Sequence, residues 1–286
     1  MISLRIGGVP EHFNLPWHLL LEAGEPAQVG VDAHWQDFPD GSGAMAAALR
    51  EDRLDVGVLL TEGAVAGVAG GGLKIVSLFT ESPLIWGVHV PATSNLHTVA
   101  AIRGLRYAIS RRGSGSHLMS FVHAREQRWP AADLDFVVVG NLKGAVDAFE
   151  SGKADVFFWE KFMTKPLVDA GRFRRVGEFS APWPAFVVCV SLAALGSKGP
   201  AIAALLGQAF AAAARLAASS DGAARIAARY GLEVQDVRAW LAVTRWAART
   251  GIGVAHVAPA VDALRALDLV DRGLTAAATL APLPST

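Results

Sequence analysis

The sequence predicts an α/β chain of two lobes, each a largely parallel sheet flanked by helices, with a helical C-terminal region. Three observations carry this. Strand-like and helix-like segments alternate through the first two thirds of the chain. The segment Ala48-Leu49-Arg50-Glu51-Asp52-Arg53-Leu54-Asp55-Val56 is matched by Ala148-Phe149-Glu150-Ser151-Gly152-Lys153-Ala154-Asp155-Val156 at an offset of 100 residues. From Pro200 onward, Ala/Leu/Arg-rich stretches repeat at helical spacing.

In chain order, residues 4–8 read as a strand ended by Gly7-Gly8. A loop over 9–16 follows, then a helix over 17–23 stopped by Gly24. Strands at 31–38, 55–60 and 73–80 enclose helices at 44–50 and from Thr61 to the Gly70-Gly71-Gly72 stop. Glu81-Ser82-Pro83 reads as a break before an extended apolar segment at 84–90. The second lobe starts with LRYAISRRGSGSHLMSFVHA: a strand at 105–110, a Gly/Ser turn at 111–116, and a helix from His117. Strands at 134–139, 155–159 and 173–179 alternate with helices at 142–150 and 164–170. Pro182-Trp183-Pro184 reads as a second break, before a strand at 186–192. Helices are expected at 201–218, 223–230, 234–248, carrying Trp240 and Trp246, and 261–267, with a loose tail at 273–286.

The repeat places a helix, a tight basic turn and an Asp-Val strand start in each lobe. Lobe one is expected over 1–85 plus 186–286 and lobe two over 86–185, with hinge crossings near 84–90 and 182–192. A ligand is expected in the cleft between lobes.

Composition narrows the function classes. Apolar residues make up 52% and charged residues 18%, and the formal net charge is zero. That balance describes a folded chain with no long-range field for nucleic acid or an acidic membrane surface. No run of apolar residues reads as a membrane span, so no membrane insertion is expected. The N-terminus shows no signal peptide, so a cytoplasmic location is expected for the chain as it stands, and a periplasmic one if a signal peptide has been removed. The single cysteine, Cys189, lies in an apolar run and reads as a buried thiol. His12/His18 and His117/His123 are each six apart, which is not metal-ligand spacing on a helix; no metal and no cofactor are expected.

In parallel α/β sheets, ligands bind beyond the carboxyl ends of strands. The polar residues there are the candidates. Glu11, Phe13 and Asn14 follow the first strand, Ser42 the second, and Thr61 and Glu62 the third. In lobe two they are Ser110, Arg111, Gly113, Ser114, Gly115, Ser116 and His117, then Asn141, Trp159 and Glu160. Unpaired N–H groups, the helix dipole and Arg111 suit an anion; Ser114 and Ser116 can donate to it or serve as caps. Glu62 and Glu160 stand at matching places and suit an amine or a ring nitrogen. Trp17, Trp86, Trp159 and Trp183 could stack on a flat ligand or simply pack.

The strings "A-L-R-E-D-R-L-D-V-G" and "A-F-E-S-G-K-A-D-V-F", with the 106–117 loop and Phe158-Trp159-Glu160-Lys161-Phe162-Met163-Thr164-Lys165-Pro166, resemble the type II periplasmic-binding-protein fold. Within it the chain is similar to the nitrate/sulfonate/taurine and thiamine-pyrimidine-precursor group of solute-binding proteins. The resemblance implies a two-lobed type II fold with mixed, mostly parallel sheets and a helical C-terminal region. It also implies a small polar organic ligand held by closure of the lobes. The role it implies is that of an ABC-transporter solute-binding protein with a permease partner, or a cytosolic sensor. The alternative is a cytosolic enzyme on the same fold, chorismate-dehydratase-like or thiamine-pyrimidine-related. For the former, Asn14 is the proton-transfer candidate; for the latter, one cysteine is too few for a Cys-rich iron motif. The effector domain of a transcription regulator ranks last.

Overall fold

A computed structural model describes residues 1–284. In chain order its elements begin β1 (Ile2–Gly8), α1 (Leu15–Glu22), β2 (Val31–Asp37), α2 (Ser42–Arg50), β3 (Val56–Leu60), α3 (Thr61–Ala69) and β4 (Leu73–Pro91). Then come β5 (Arg106–Ile109), α4 (Gly115–Glu126), β6 (Asp135–Val138), α5 (Leu142–Glu150), β7 (Val156–Glu160), α6 (Lys165–Asp169) and β8 (Phe173–Ser191). The chain ends in α7 (Leu192–Ala218), α8 (Gly222–Tyr230), α9 (Val234–Val243), α10 (Val254–Ala266) and α11 (Ala276–Thr279). Two compact units are present: Met1–Pro83 with Pro182–Thr286, and Leu84–Ala181.

In the first unit β1 is parallel to both β2 and β3, and β3 pairs antiparallel with the end of β8, Leu60 opposite Phe186. Leu4, Ile6, Val56 and Val58 are fully buried, as expected of parallel strands covered on both faces. In the second unit β5 is parallel to β6 and β7, and β7 runs antiparallel to β4. There α5 lays Ala145, Val146, Ala148 and Phe149 against Ala108, Phe157 and Phe173. Gly144 lets α5 start close to the preceding turn: a Cβ would sit 1.8 Å from the Val139 carbonyl oxygen.

The repeat is structural. In the first unit the Arg5 backbone N–H donates to Asp55 Oδ2 (2.8 Å), and its guanidinium grips both carboxylate oxygens (3.0 and 2.9 Å). In the second, Arg106 holds Asp155 the same way at 3.1, 2.8 and 2.8 Å. The aspartate backbone N–H returns a bond to the arginine carbonyl in each copy. The helix-to-strand turn is thus locked to a neighbouring parallel strand, β1 or β5, by a bidentate pair. Lys198 adds a second cation on Asp55, at 3.0 Å.

Several local expectations are corrected. The breaks at 81–83 and 182–184 are not breaks: β4 and β8 each run 19 residues through them. Proline fixes φ in a range compatible with extended backbone and needs only a position whose N–H no ladder uses. Helix α4 starts at Gly115, not at His117, because Ser114 caps it. Helix α7 starts at Leu192, capped by Ser191, and carries Pro200 inside it. It is long and apolar enough to cross a membrane, which the sequence reading missed; over half of its most apolar window is buried in its unit, as in a core helix. Helix α9 ends at Val243, so Trp246 lies outside it, in an isolated bridge opposite Thr80. Helix α10 begins at Val254. The tail is tied down: Leu280 bridges Ile75 and Ala281 donates to the Ile75 carbonyl. Of that tail, 285–286 lie outside the described residues.

Candidate functional site

In the first unit, Asn14 is fully buried behind the end of β1. Its Nδ2 donates to the Val9 carbonyl at 2.8 Å, and its Oδ1 has no protein partner among the described residues. Gly8 permits this placement, since a Cβ there would come within 2.6 Å of the Asn14 amide and the Trp35 ring. Phe13 is a packing residue. Its ring lies 4.8 Å from Phe186 and 5.0 Å from Trp240, and its carbonyl accepts from Trp246 Nε1 at 2.9 Å. His12, absent from the candidate set, is fully buried edge-on to Trp240, and burial holds its imidazole down at about 3. Glu11 is partly exposed by area, yet its carboxyl is pushed up to about 7 by burial.

At the end of β3, three candidates meet. Ser42 Oγ accepts from the Leu60 N–H at 2.9 Å, and Thr61 Oγ1 donates to the Pro184 carbonyl. Glu62, 1% exposed, accepts from Trp183 Nε1 at 2.8 Å through Oε2. Its Oε1 has no protein partner among the described residues. Desolvation pushes the Glu62 carboxyl up to about 7, opposed by its own backbone N–H and the Trp183 indole. Strand β8 joins this junction to the Phe13 loop, through Trp183 and Pro184 on one side and Phe186 on the other. Trp183 therefore acts as a hydrogen-bond donor, a role that its place in a Pro-Trp-Pro run does not announce.

In the second unit, the β5–α4 turn bonds mainly to itself. Ser114 caps α4, accepting from the His117 N–H. Ser116 Oγ accepts from the Ser110 N–H at 3.1 Å and lies 3.1 Å from Ser114 Oγ. Gly113, at φ 78°, donates its N–H to His117 Nδ1 at 3.0 Å. An accepting Nδ1 leaves the proton of the neutral ring on Nε2, which is buried without a protein partner among the described residues. Burial and the Arg112 charge hold His117 down at about 4, so the ring is neutral at pH 7. Arg111 lies in the turn, half-buried, and Gly115 opens α4.

The other second-unit candidates divide. Asn141 caps α5 by accepting from Gly144 N–H at 3.1 Å. Trp159 stacks on Phe157 at 5.1 Å and packs on the unit's core. Glu160, buried, accepts from the Phe162 and Met163 N–H groups through Oε2, at 2.8 and 2.7 Å. Nearby, Thr164 and His89 share a buried 2.9 Å bond between residues 75 apart, which no local sequence pattern announces. Cys189 is buried, and burial pushes its thiol up.

Comparisons with known proteins agree with this architecture. A family model described as Ca3427-like periplasmic binding protein matches residues 86–179. The Candida albicans CA3427 gene product, described as defining a new family with the generic periplasmic-binding-protein fold, is 21% identical. That match covers 100% of this chain and 99% of that one, with a TM-score of 0.91. The alkanesulfonate-binding protein SsuA of Xanthomonas axonopodis pv. citri, bound to MOPS, is 22% identical over 99% of each chain, TM-score 0.83. The periplasmic aliphatic sulphonate-binding protein SsuA of Escherichia coli is 19% identical, covering 100% of this chain and 94% of that one, TM-score 0.74. No curated protein sequence matches the chain. Paired α/β units, helical C-terminal region and near-complete structural overlap together establish that the chain has the periplasmic-binding-protein fold, of the kind seen in sulfonate-binding proteins.

Proposed function

We propose that the protein binds a small polar organic ligand and serves as the solute-binding component of an ABC-type importer. The observation that carries this reading is the position of its buried polar groups. Asn14, Thr61, Glu62, Ser114, Ser116 and His117 all lie just past the carboxyl ends of parallel strands, where open α/β sheets take ligands. Three of these residues keep a buried polar atom without a protein partner among the described residues: Asn14 Oδ1, Glu62 Oε1 and His117 Nε2. Such atoms are costly unless something pairs with them. The sulfonate-binding neighbours lend the reading further support.

A thermal-shift screen with sulfonates, organic acids, amino-acid analogues and pyrimidines tests it. A ligand at one hundred times its Kd adds about 2.7 kcal/mol of stability. Ser114→Ala with Ser116→Ala is expected to weaken the hit far more than it lowers the apo melting temperature; equal losses mean that the turn is only a cap. If no ligand class moves the melting temperature, the reading fails.

A second reading, an enzyme on the same fold, is favoured by one observation. Glu11, with a carboxyl pushed up to about 7, stands three residues from the buried Asn14. A carboxyl poised near neutrality suits proton transfer. Product formation from a hit, lost in Asn14→Ala, supports this second reading over simple binding.

A further inference from the structure

Each unit carries a buried glutamate near the end of its Asp-Val strand, Glu160 as the last residue of β7 and Glu62 two positions further along the repeat, in the first turn of α3, so the matching places expected from the sequence are not equivalent. Glu160 accepts two backbone N–H groups of its own turn through one oxygen, as a structural carboxylate does. Glu62 has the Trp183 indole on Oε2 and its own backbone N–H beside the carboxyl, while Oε1 is buried without a hydrogen-bond partner among the described residues. Its neighbours at the β3–α3 junction are already engaged, Ser42 with Leu60 and Thr61 with Pro184. Among the described residues no lysine, arginine or histidine pairs with Glu62, and no charged side chain perturbs it. A carboxyl buried with an oxygen unmet and no counter-cation is unstable in isolation and favours a donor brought from outside.

We infer that Glu62 is a specificity-determining residue, its Oε1 accepting a hydrogen bond from a nitrogen of the ligand: an ammonium, an amidine-like amine or a ring N–H. This rests on the ligand-binding reading and deepens it by setting the ligand class. A bare sulfonate or carboxylate does not meet the requirement; a zwitterion or an aminated heterocycle does. Trp183, holding Oε2, is the positioning residue that turns Oε1 toward the ligand.

The test uses matched probes that differ in one nitrogen: taurine against ethanesulfonate, β-alanine against propionate, and 4-aminopyrimidine against 4-methylpyrimidine. Binding of each to the full chain is measured by calorimetric titration. In at least one pair the nitrogen-bearing member is expected to bind tenfold or more tightly. Glu62→Gln, nearly isosteric, is expected to cut that preference to threefold or less without lowering the apo melting temperature. Because the wild-type preference needs no variant, the inference stays testable even if Glu62→Gln misfolds. Equal binding within every pair, or a preference that survives Glu62→Gln, overturns the assignment and leaves ligand binding standing. Binding by no probe, together with a silent thermal-shift screen, removes both.

Discussion

The two units share a skeleton and differ in what they leave unsatisfied. Each locks its helix-to-strand turn with an arginine on the neighbouring parallel strand, Arg5 on Asp55 and Arg106 on Asp155. Each places a buried glutamate near the end of the following strand, Glu160 as its last residue and Glu62 in the first turn of the next helix. In the second unit that glutamate, the serines of the β5–α4 turn and the asparagine at α5 bind backbone groups of their own unit. In the first, Glu62 and Asn14 each keep an oxygen without a partner among the described residues. Duplicated architecture therefore does not carry duplicated chemistry. The second unit offers a pre-shaped loop with a buried unpaired donor, His117 Nε2, and the first offers unpaired acceptors among the described residues.

Variants in equivalent places sharpen this contrast. The largest stability effect is expected at Asp55, whose carboxylate is 4% exposed and holds both Arg5 and Lys198. Asp55→Asn should cost about 3 kcal/mol in chemical denaturation, because it removes the buried charge that accepts from the Arg5 backbone N–H, its guanidinium and the Lys198 ammonium. Asp155→Asn should cost less, since Asp155 is more exposed and pairs with no lysine among the described residues. The Arg5 and Lys198 contacts hold the Asp55 carboxyl below its ordinary range against the opposing effect of burial. Its stabilising contribution is therefore complete above the unfolded aspartate value of about 3.9 and is lost as pH falls through the lowered native value. A stability difference between wild type and Asp55→Asn that did not shrink in acid would break this assignment.

Glu62→Gln and Glu160→Gln are expected to act in opposite directions. With its folded value raised to about 7, Glu62 binds protons in the native state that the unfolded chain releases. Wild-type stability should therefore fall as pH rises from about 4.5 to about 7 and then level off, a loss from this group of about 3 kcal/mol. Glu62→Gln should be about 2 kcal/mol more stable than wild type at pH 8, with the advantage fading toward pH 4.5. Glu11 contributes a fall of the same sign to both proteins, so their difference isolates Glu62. Glu160→Gln should lose about 1 kcal/mol, as two charge-assisted bonds become neutral ones. Destabilisation by both variants at pH 8 would erase the contrast. The smallest effect is expected from Ser114→Ala, about 1 kcal/mol, the worth of one N-cap.

The sequence shows the backbone plan more openly than the site. Alternating segments and the 100-residue repeat are written in apolar spacing and in Asp55 and Asp155, which begin the matching strands. The arginines that complete each clamp lie about fifty residues earlier, and no local pattern ties them to the aspartates. Pro83, Pro182 and Pro184 misled because proline interrupts helices but tolerates extended chain, so two long strands read as four short ones. Pro200 likewise hid the first turns of α7. The candidate residues could be named from strand ends, but their engagement could not. Whether Ser116 faces a ligand or the Ser110 N–H, and whether Glu62 keeps a free oxygen, depends on burial and on distant partners such as Trp183.

The most direct measurement is calorimetric titration of the tightest nitrogen-bearing probe into wild type, Glu62→Gln and Glu160→Gln at one pH. The predicted result is saturable binding to wild type, weakened at least tenfold in Glu62→Gln and changed no more than threefold in Glu160→Gln. Unchanged affinity in Glu62→Gln, or a loss confined to Glu160→Gln, would contradict it.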